Sequence, residues 1–352
     1  MLSQEELLYR VALTMVPGVG PIGARRLLEQ FGSAAAIFRA QPKSVQGFDD
    51  FAAAERTLAF ARRYGIRIYC PGDPEYPTRL KECPDAPTVL YYKGNAGLNP
   101  PHTLSIVGTR TPSVYGRQAV RLLLRDLAPY GVLIVSGLAD GIDAMAHHYA
   151  LENGLSTVGV LGHGLDTIYP AGNRRLAKTM LDQGGLLTEF REGTPVEDFR
   201  FPLRNRIVAG IPEATIVVES AVSGGSLITA GLALGYDRCV LAVPGRITDT
   251  RSKGCNDMLA HEKAHCITSA ADIAYQLNWE TCAAAPGALP QTAEDDDEAR
   301  ILEVLRGRDF VHMDELRLHT PLPPSALAAR LLRLELRRVI EVLPGARYRL
   351  MS

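Results

Sequence analysis

The pattern of apolar and polar positions changes along the chain, which predicts three structural units. Up to about residue 62, apolar residues such as Leu7, Leu8 and Val11 recur at the spacing of an amphipathic helix. From residue 63 to 281, short apolar runs alternate with helical stretches. Residues 282–299 are small, Pro-containing and acidic, as in a solvated linker, and a third unit covers residues 300–352.

The middle unit has the pattern of an α/β fold. Its strand candidates are apolar throughout rather than at alternate positions, which is typical of a parallel sheet buried on both faces. Because helical stretches separate them, we expect a mostly parallel sheet with helices on both faces. The strand candidates are Ile66–Cys70, Leu104–Gly108, Val132–Ser136, Thr157–Leu161, Leu186–Glu189, Ala214–Glu219 and Val240–Val243.

The outer units resemble small nucleic-acid-binding modules. The stretch VPGVGPIGARR is similar to a helix-hairpin-helix, in which Gly18 and Gly20 would turn the chain while Arg25 and Arg26 flank a phosphate. A plain αα-hairpin with glycines serving only the turn is the alternative. The third unit has the order helix, helix, helix and hairpin, which is that of a winged helix, and either DNA or a protein could be its partner.

Composition excludes several classes of protein. The 352 residues carry a net charge of −1, so any nucleic-acid site must come from local clusters of basic residues. The six cysteines form no C-x-x-C pair and lack histidines at zinc-ligand spacing, so we expect reduced thiols and no metal. Since the N-terminus is not a signal peptide and no apolar run is long enough to span a membrane, we expect a cytoplasmic protein.

Basic and Gly-rich segments follow several strand candidates. The carboxyl ends of parallel strands meet at one edge of a sheet, so these segments should converge into one site. Guanidinium groups interleaved with Phe199 and Phe201 suit single-stranded nucleic acid, although these two rings are more typical of a core. The residues expected to contact DNA are Gly108, Thr109, Arg110, Ser136, Gly137, Asn173, Arg174, Arg175, Arg204, Asn205, Arg206, Gly224, Gly225, Ser226, Lys253 and Asn256.

The same loops give no strong signal for catalysis. They contain neither the G-x-G-x-x-G nor the Walker pattern, and Ser226 follows two glycines without a G-x-S-x-G motif. Asp143 lies near a helix start, where complementing the helix dipole would be a purely structural role. For Arg110, the structural alternative to binding a phosphate is a salt bridge with a neighbouring carboxylate. We therefore expect no catalytic residues and no cofactor.

The motifs together resemble the DNA-processing protein A family, also called DprA or Smf. The matching stretches are IVGTRTPSVYG, IVSGLADGIDAMAHHYAL, VLGHGLDTIYPAGNRRL, FPLRNRIVAG, VVESAVSGGSLITAG and VPGR…SKGCNDML, in the order the family has them. The resemblance implies an extended Rossmann-like core that forms a homodimer. It also implies binding and protection of single-stranded DNA and loading of a RecA-type recombinase in natural transformation, without enzymatic activity.

The family resemblance places particular residues at the DNA site. The arginine of the family's GTR or GSR motif corresponds to Arg110, and a later basic residue corresponds to Arg175. A rival resemblance is to phosphoribohydrolases of the lysine-decarboxylase-like group. Ser223 stands where those enzymes have proline, and Ala230 and Gly231 lie where their catalytic glutamate would fall, which weakens the enzyme hypothesis.

Overall fold

The structure is a computed structural model that describes residues 2–279, 296–306, 308, 310–336, 339–343 and 345–350. It divides into two compact units, Met1–Cys282 and Ala283–Ser352. Residues 282–295 of the predicted linker lie outside the described residues. The domain boundaries predicted at residues 62, 281 and 299 stay predictions.

Four helices open the first unit, and a buried acid joins two of them. They are α1 (Gln4–Leu13), α2 (Pro21–Phe31), α3 (Ala34–Ala40) and α4 (Phe51–Arg63). The Glu6 carboxylate of α1 accepts the first N–H groups of α3, from Ala34 at 2.9 Å and Ala35 at 3.0 Å. Arg10 pairs with the same carboxylate at 2.9 Å. The Glu6 side chain that caps the start of α3 therefore has its negative charge neutralised by Arg10.

A nine-stranded sheet forms the centre of the first unit. Its strands are β1 (Arg67–Tyr69), β2 (Leu90–Gly94), β3 (Thr103–Val107), β4 (Leu133–Ser136), β5 (Thr157–Val160), β6 (Gly185–Thr188), β7 (Ala214–Val217), β8 (Cys239–Ala242) and β9 (His265–Cys266). The spatial order is β1-β2-β6-β5-β4-β3-β7-β8-β9. β2 is antiparallel to both of its neighbours, β1 and β6, and the seven strands from β6 to β9 in this spatial order pair in parallel.

Side chains of the central strands alternate between two separate hydrophobic cores. Leu133 and Val135 of β4 pack into one core, while Ile134 packs into the other. The faces are covered by helices, as the uniformly apolar strands predict. The expected α/β fold with a mostly parallel sheet is therefore confirmed.

The remaining helices of the first unit connect the strands. They are α5 (Thr78–Glu82), α6 (Val114–Leu127), α7 (Ile142–Glu152), α8 (Arg174–Gln183), α9 (Arg200–Gly210), α10 (Gly225–Gly235), α11 (Lys253–Ala260) and α12 (Ala270–Gln276). Across the described ranges, none of the helices has both the length and the apolar character needed to cross a bilayer.

Sequence patterns locate seven of these strands to within two residues at each end but miss two others. β2 is an antiparallel strand between β1 and β6, and its polar residues Lys93 and Gly94 shorten the apolar run. β9 has only two residues, both exposed, so it has no apolar run at all. A short apolar run and an exposed two-residue edge strand both escape detection because neither carries enough of the periodic signal.

The second unit is a winged helix, as predicted. Its elements are α13 (Asp296–Leu305), β10 (Val311–His312), α14 (Met313–His319), α15 (Pro324–Leu336), β11 (Ile340–Leu343) and β12 (Arg347–Leu350). The strands form a small antiparallel sheet in the order β10-β12-β11. Ile301, Leu316, Leu327 and Leu331 are buried in its own hydrophobic core.

Candidate nucleic-acid interface

A cavity of about 270 Å³ opens where β3, β4 and β7 end. α6, which follows β3, packs on one face of the sheet, whereas α10, which follows β7, packs on the other. Ligands of open α/β sheets bind in a crevice of this kind, where successive connections diverge. The lining residues relevant here are Gly108, Thr109, Arg110, Gly137, Asp143, Phe201, Arg204, Asn205, Gly224, Gly225 and Ser226.

Close backbone contacts hold the loops after β3 and β4 together. Gly141 has a φ of +83°, and a Cβ there would lie 2.3 Å from the Thr109 carbonyl oxygen. The Ile142 N–H donates to that same oxygen at 3.1 Å. A Cβ on Gly108 would lie 2.6 Å from the Ile142 side chain, so both glycines are required by the approach of the two loops.

Arg110 lies at the mouth of the cavity. Its side chain is exposed, and its guanidinium carbon lies 6.0 Å from the centre of the Phe201 ring. Within the part of the chain that the structure describes, Arg110 has no acidic partner within 4.0 Å. The salt-bridge alternative for Arg110 is therefore not observed. An unneutralised arginine beside an aromatic ring suits a phosphate with an adjoining base.

Arg204, in contrast, forms the floor of the cavity. It is only 5% exposed and donates to the carbonyl oxygens of Gly137 and Val160, and to Asn205 Oδ1 at 3.1 Å. Burial lowers the pKa of Arg204 to about 10, and Asp143 partly offsets this shift. Because its donors are engaged by the backbone, Arg204 shapes the cavity rather than offering a free cation.

Asp143 balances that buried charge. Its carboxylate accepts the Gly137 N–H at 3.1 Å, so this N–H is occupied and Gly137 lines the cavity only as a wall. Burial raises the pKa of Asp143 to about 6, against the opposing effect of Arg204. The helix-start role anticipated for Asp143 is thus joined by a second one, which is to hold the loop after β4.

One turn further along α7, His147 is completely buried. Its Nδ1 lies 2.6 Å from Thr157 Oγ1. Burial, together with the positive charge of Arg204, lowers the pKa of His147 to about 3. His147 is therefore neutral in the folded protein above about pH 3, and its ring is enclosed by the protein.

The start of α10 forms the opposite wall of the cavity. Gly224 is the N-cap and supplies no side-chain cap. The N–H groups of Gly225 and Ser226 are the first of the helix, so they have no carbonyl partner in a preceding turn. The helix dipole and these N–H groups together favour an anion here.

The loop before α8 reaches the same edge of the sheet. Asn173 donates to the Leu138 carbonyl oxygen at 3.0 Å, which joins this loop to the one after β4. Arg174 and Arg175 are exposed at the first positions of α8. Ser136 differs, because its hydroxyl is buried and donates to Ile106 at 2.6 Å.

Seven of the expected contact residues do not line the cavity, namely the four just described (Ser136, Asn173, Arg174 and Arg175) and Arg206, Lys253 and Asn256. Arg206 is buried, where it pairs with Glu189 and donates to the Asp85 carbonyl oxygen. Asn256 forms two hydrogen bonds of 3.0 Å with the backbone of Gly245. Lys253 is exposed at the start of α11. The structure gives Arg206 and Asn256 roles in the fold, and we leave them out of the proposed interface.

The glycine hairpin of the N-terminal helices lies beside a second cavity, of about 420 Å³. Gly18 has a φ of +79° at the turn, and Gly20 lines this cavity at the start of α2. Arg25 is bound by Glu29 at 3.1 Å and by the Cys83 carbonyl oxygen at 3.0 Å, whereas Arg26 is exposed. Arg25 therefore anchors the hairpin to the α/β core.

The structure corrects one expectation about an aromatic residue and adds two residues, Tyr169 and Glu219, that the sequence pattern does not single out. Phe199 is 60% exposed, so the expectation that it belongs to the core is wrong. Tyr169 is 46% exposed and stacks on Phe201 with ring centres 5.8 Å apart. Glu219, two residues after the end of β7, is fully buried and accepts hydrogen bonds from Ser113. Its only sequence signal is an acid directly after an apolar run.

The residues that line this cavity show no arrangement for covalent chemistry. The Ser226 hydroxyl donates to Ser220 Oγ at 2.8 Å rather than to a base. Asp143 is the only carboxylate among the cavity-lining residues, and it binds the Gly137 N–H. In the described ranges, no three His, Cys, Asp or Glu side chains are grouped so as to hold a metal ion.

Comparison with known proteins places the chain in a family. A family model described as "DNA recombination-mediator protein A" matches residues 67–278, and one described as "DprA winged helix domain" matches residues 283–346. The chain belongs to the DNA recombination-mediator protein A family. "Protein Smf" of a Synechocystis strain is 32% identical over 340 residues, which cover 91% of this chain and 81% of that protein.

Two solved structures of DNA recombination-mediator protein A relatives show the same fold. The X-ray structure of DNA processing protein A from Streptococcus pneumoniae has a TM-score of 0.67 and 32% identity, covering 78% of this chain and 99% of that one. The Helicobacter pylori protein, whose structure concerns its "unique single-stranded DNA binding mode", has a TM-score of 0.55 and 28% identity. That match covers 61% of this chain and 96% of that one. The expected family is confirmed.

Proposed function

We propose that this protein binds single-stranded DNA along the edge of the sheet where β3, β4 and β7 end. The observation that carries the proposal is Arg110, a guanidinium group without an acidic partner among the described residues, beside Phe201 and the cavity that the start of α10 lines. Arg174 and Arg175 extend the positive charge along the same edge. The Helicobacter pylori relative, which binds single-stranded DNA, supports the choice of ligand.

Recognition in this proposal is independent of base sequence. The groups that face the cavity mouth are a guanidinium, aromatic rings and backbone N–H groups, which bind phosphates and stack on any base. Affinity should therefore fall steeply with salt, with a log–log slope of about −0.7 for each phosphate neutralised on a single strand.

The test is a titration of labelled oligo-dT by fluorescence anisotropy at several salt concentrations. Arg110→Ala combined with Arg175→Ala should weaken binding at least about tenfold, since two charge-assisted contacts are lost. The salt slope should become shallower by about 1.4, which is twice the value for one phosphate. Affinity and slope equal to those of the wild type would refute the assignment.

A matched control removes the same charge elsewhere. Arg62 in α4 and Arg121 in α6 are exposed arginines outside the cavity. The double variant with alanine at both positions should keep the wild-type salt slope. If it weakened binding as much as the site variant does, general electrostatic attraction would account for both results.

We further propose that the bound strand is protected and passed to a RecA-type recombinase, and that the protein acts as a homodimer. Two linked sites raise the affinity for long strands without new contacts. Sedimentation of the free protein tests the dimer. Recombinase ATPase activity on DNA already covered by a single-strand-binding protein tests the transfer, which Arg110→Ala should impair in proportion to its lost affinity.

The phosphoribohydrolase alternative is tested directly. Incubation with nucleoside monophosphates followed by chromatography should show no released base, because no carboxylate stands at residues 230 and 231. Base release that depends on Asp143, the carboxylate in the cavity, would favour the enzyme instead.

A further inference from the structure

A buried acid at the end of β7 lies behind the loop that carries Arg110. Glu219 is fully buried, although it follows a strand that ends at an otherwise open edge of the sheet. Burying a carboxylate is costly unless hydrogen bonds compensate. The partners of Glu219 therefore indicate why the acid is there.

Among the described residues, the side chain and the backbone oxygen of Glu219 both accept hydrogen bonds from the Arg110 loop, residues 109–113. Its Oε2 accepts the Ser113 N–H at 2.8 Å, and its Oε1 accepts the Ser113 hydroxyl at 2.5 Å. Its backbone oxygen accepts the Thr109 N–H at 2.7 Å. One residue thus fixes both ends of a five-residue loop that has Arg110 at its second position.

The Glu219 carboxylate packs tightly against the start of α6, which leaves it no room to move. A Cβ on Gly116, in the first turn of α6, would lie 2.5 Å from Glu219 Oε2. The Ser113 hydroxyl also accepts the Gly116 N–H at 3.1 Å as the N-cap of α6. The loop is therefore held between the carboxylate and the start of the following helix.

The next residue extends this arrangement to the opposite wall. Ser220 Oγ accepts the Ser226 hydroxyl at 2.8 Å, and its carbonyl oxygen accepts the Gly254 N–H at 2.8 Å. A Cβ on Gly224 would lie 2.2 Å from Ser220 Oγ. Glu219 and Ser220 together contact the loop after β3, the start of α10 and the start of α11.

We propose that Glu219 is a positioning residue for DNA binding, which holds the backbone of residues 109–113 so that Arg110 faces the start of α10. This inference rests on the proposed function. Preorganisation of this kind raises affinity because the loop loses less conformational freedom when a phosphate binds. The bound state itself involves no contact between Glu219 and DNA.

A double-mutant cycle with Arg110 tests the proposal on the full-length protein, with oligo-dT as the ligand. If Glu219 acts through Arg110, Glu219→Ala should weaken binding about fivefold in the wild type but less than about twofold in the Arg110→Ala background. It should also make the salt slope shallower by about 0.7, as Arg110→Ala does, because the same phosphate contact is lost. General destabilisation does not change that slope.

Glu213 provides the matched control, because it is also a glutamate next to β7 but precedes the strand, whereas Glu219 follows it. Its carboxylate accepts the Thr103 N–H at 3.0 Å, at the opposite edge of the sheet. Glu213→Ala should lower the thermal midpoint while leaving affinity and salt slope unchanged. If Glu219→Ala does not fold, Ser113→Ala, which removes only the hydroxyl partner, is measured by the same two readouts.

The outcomes separate the two proposals. Wild-type affinity of Glu219→Ala, or an equal loss in both backgrounds, overturns the positioning role. Should Arg110→Ala alone bind oligo-dT like the wild type, the proposed function fails instead. A shallower salt slope in Glu219→Ala, together with a smaller loss of affinity from this substitution in the Arg110→Ala background, supports both the positioning role and the proposed function.

Discussion

The buried pair of Asp143 and His147 on α7 makes a prediction about the dependence of stability on pH. The pKa of His147 is about 3 in the folded protein, against an ordinary value of 6.5. Its contribution to stability is therefore complete above pH 6.5 and is lost as the pH falls towards 3. The pKa of Asp143 is raised to about 6 from 3.8, so its contribution is present at about pH 4 and is lost as the pH rises through 6.

Between about pH 4 and 6, the two groups act in opposite directions. The unfolded chain holds one more proton at residue 147, and the folded chain holds one more at residue 143. Each proton corresponds to a change in unfolding free energy of about 1.4 kcal/mol per pH unit, so the two contributions cancel in the wild type. Asp143→Asn keeps an acceptor for the Gly137 N–H but removes the compensating proton. Relative to the wild type, this variant should lose roughly 2–3 kcal/mol between pH 6 and 4.

Urea unfolding followed by tryptophan fluorescence measures this difference. Trp279 is the only tryptophan of the chain and is 6% exposed within the first unit, so its signal reports on that unit. His147→Gln is the reciprocal variant, and it should gain stability on acidification over the same range, relative to the wild type. Equal pH slopes for the wild type and both single variants would refute the linkage, and the double variant should return to the wild-type slope.

Three other substitutions test separate parts of the site. Gly141→Ala should destabilise the first unit by about 2 kcal/mol or more, measured by the same urea assay, because a positive φ and the Thr109 carbonyl oxygen both exclude a Cβ. Arg206→Ala should cost about 3–5 kcal/mol because it leaves Glu189 buried without its partner, while oligo-dT affinity of the folded protein stays unchanged. Phe199→Ala should weaken oligo-dT binding by about 1–3 kcal/mol without lowering the thermal midpoint, as expected for the loss of an exposed stacking ring. These assignments would be contradicted if Gly141→Ala were as stable as the wild type or if Arg206→Ala bound oligo-dT more weakly. A lower thermal midpoint for Phe199→Ala would contradict its assignment as an exposed stacking ring.

The sequence predicts the architecture of this site better than its individual contacts. Uniformly apolar strands imply a parallel sheet, and a parallel sheet brings its strand-end loops to one edge. This reasoning is enough to place Gly108, Arg110, Gly137 and Gly225 around one cavity.

What the sequence does not determine is the direction of each side chain. Arg204 and Arg206 are two positions apart on α9, so they point to different sides of the helix. Only the folded structure shows that Arg206 meets Glu189 while Arg204 lies under the cavity. The role of Glu219 also depends on a partner 106 positions away, and no local pattern records such a distance.

The close contact between the loops after β3 and β4 has a consequence for protein engineering. Backbone lies directly against backbone at Gly141, and Gly108 lies against the Ile142 side chain, so this contact tolerates no Cβ at either glycine. The side chains of Arg110 and Phe201 line the cavity and take no part in this contact, so they can be exchanged without disturbing it. A library randomised at these two positions, with Gly108 and Gly141 retained, would sample new ligand preferences while the contact between the loops stays unaltered.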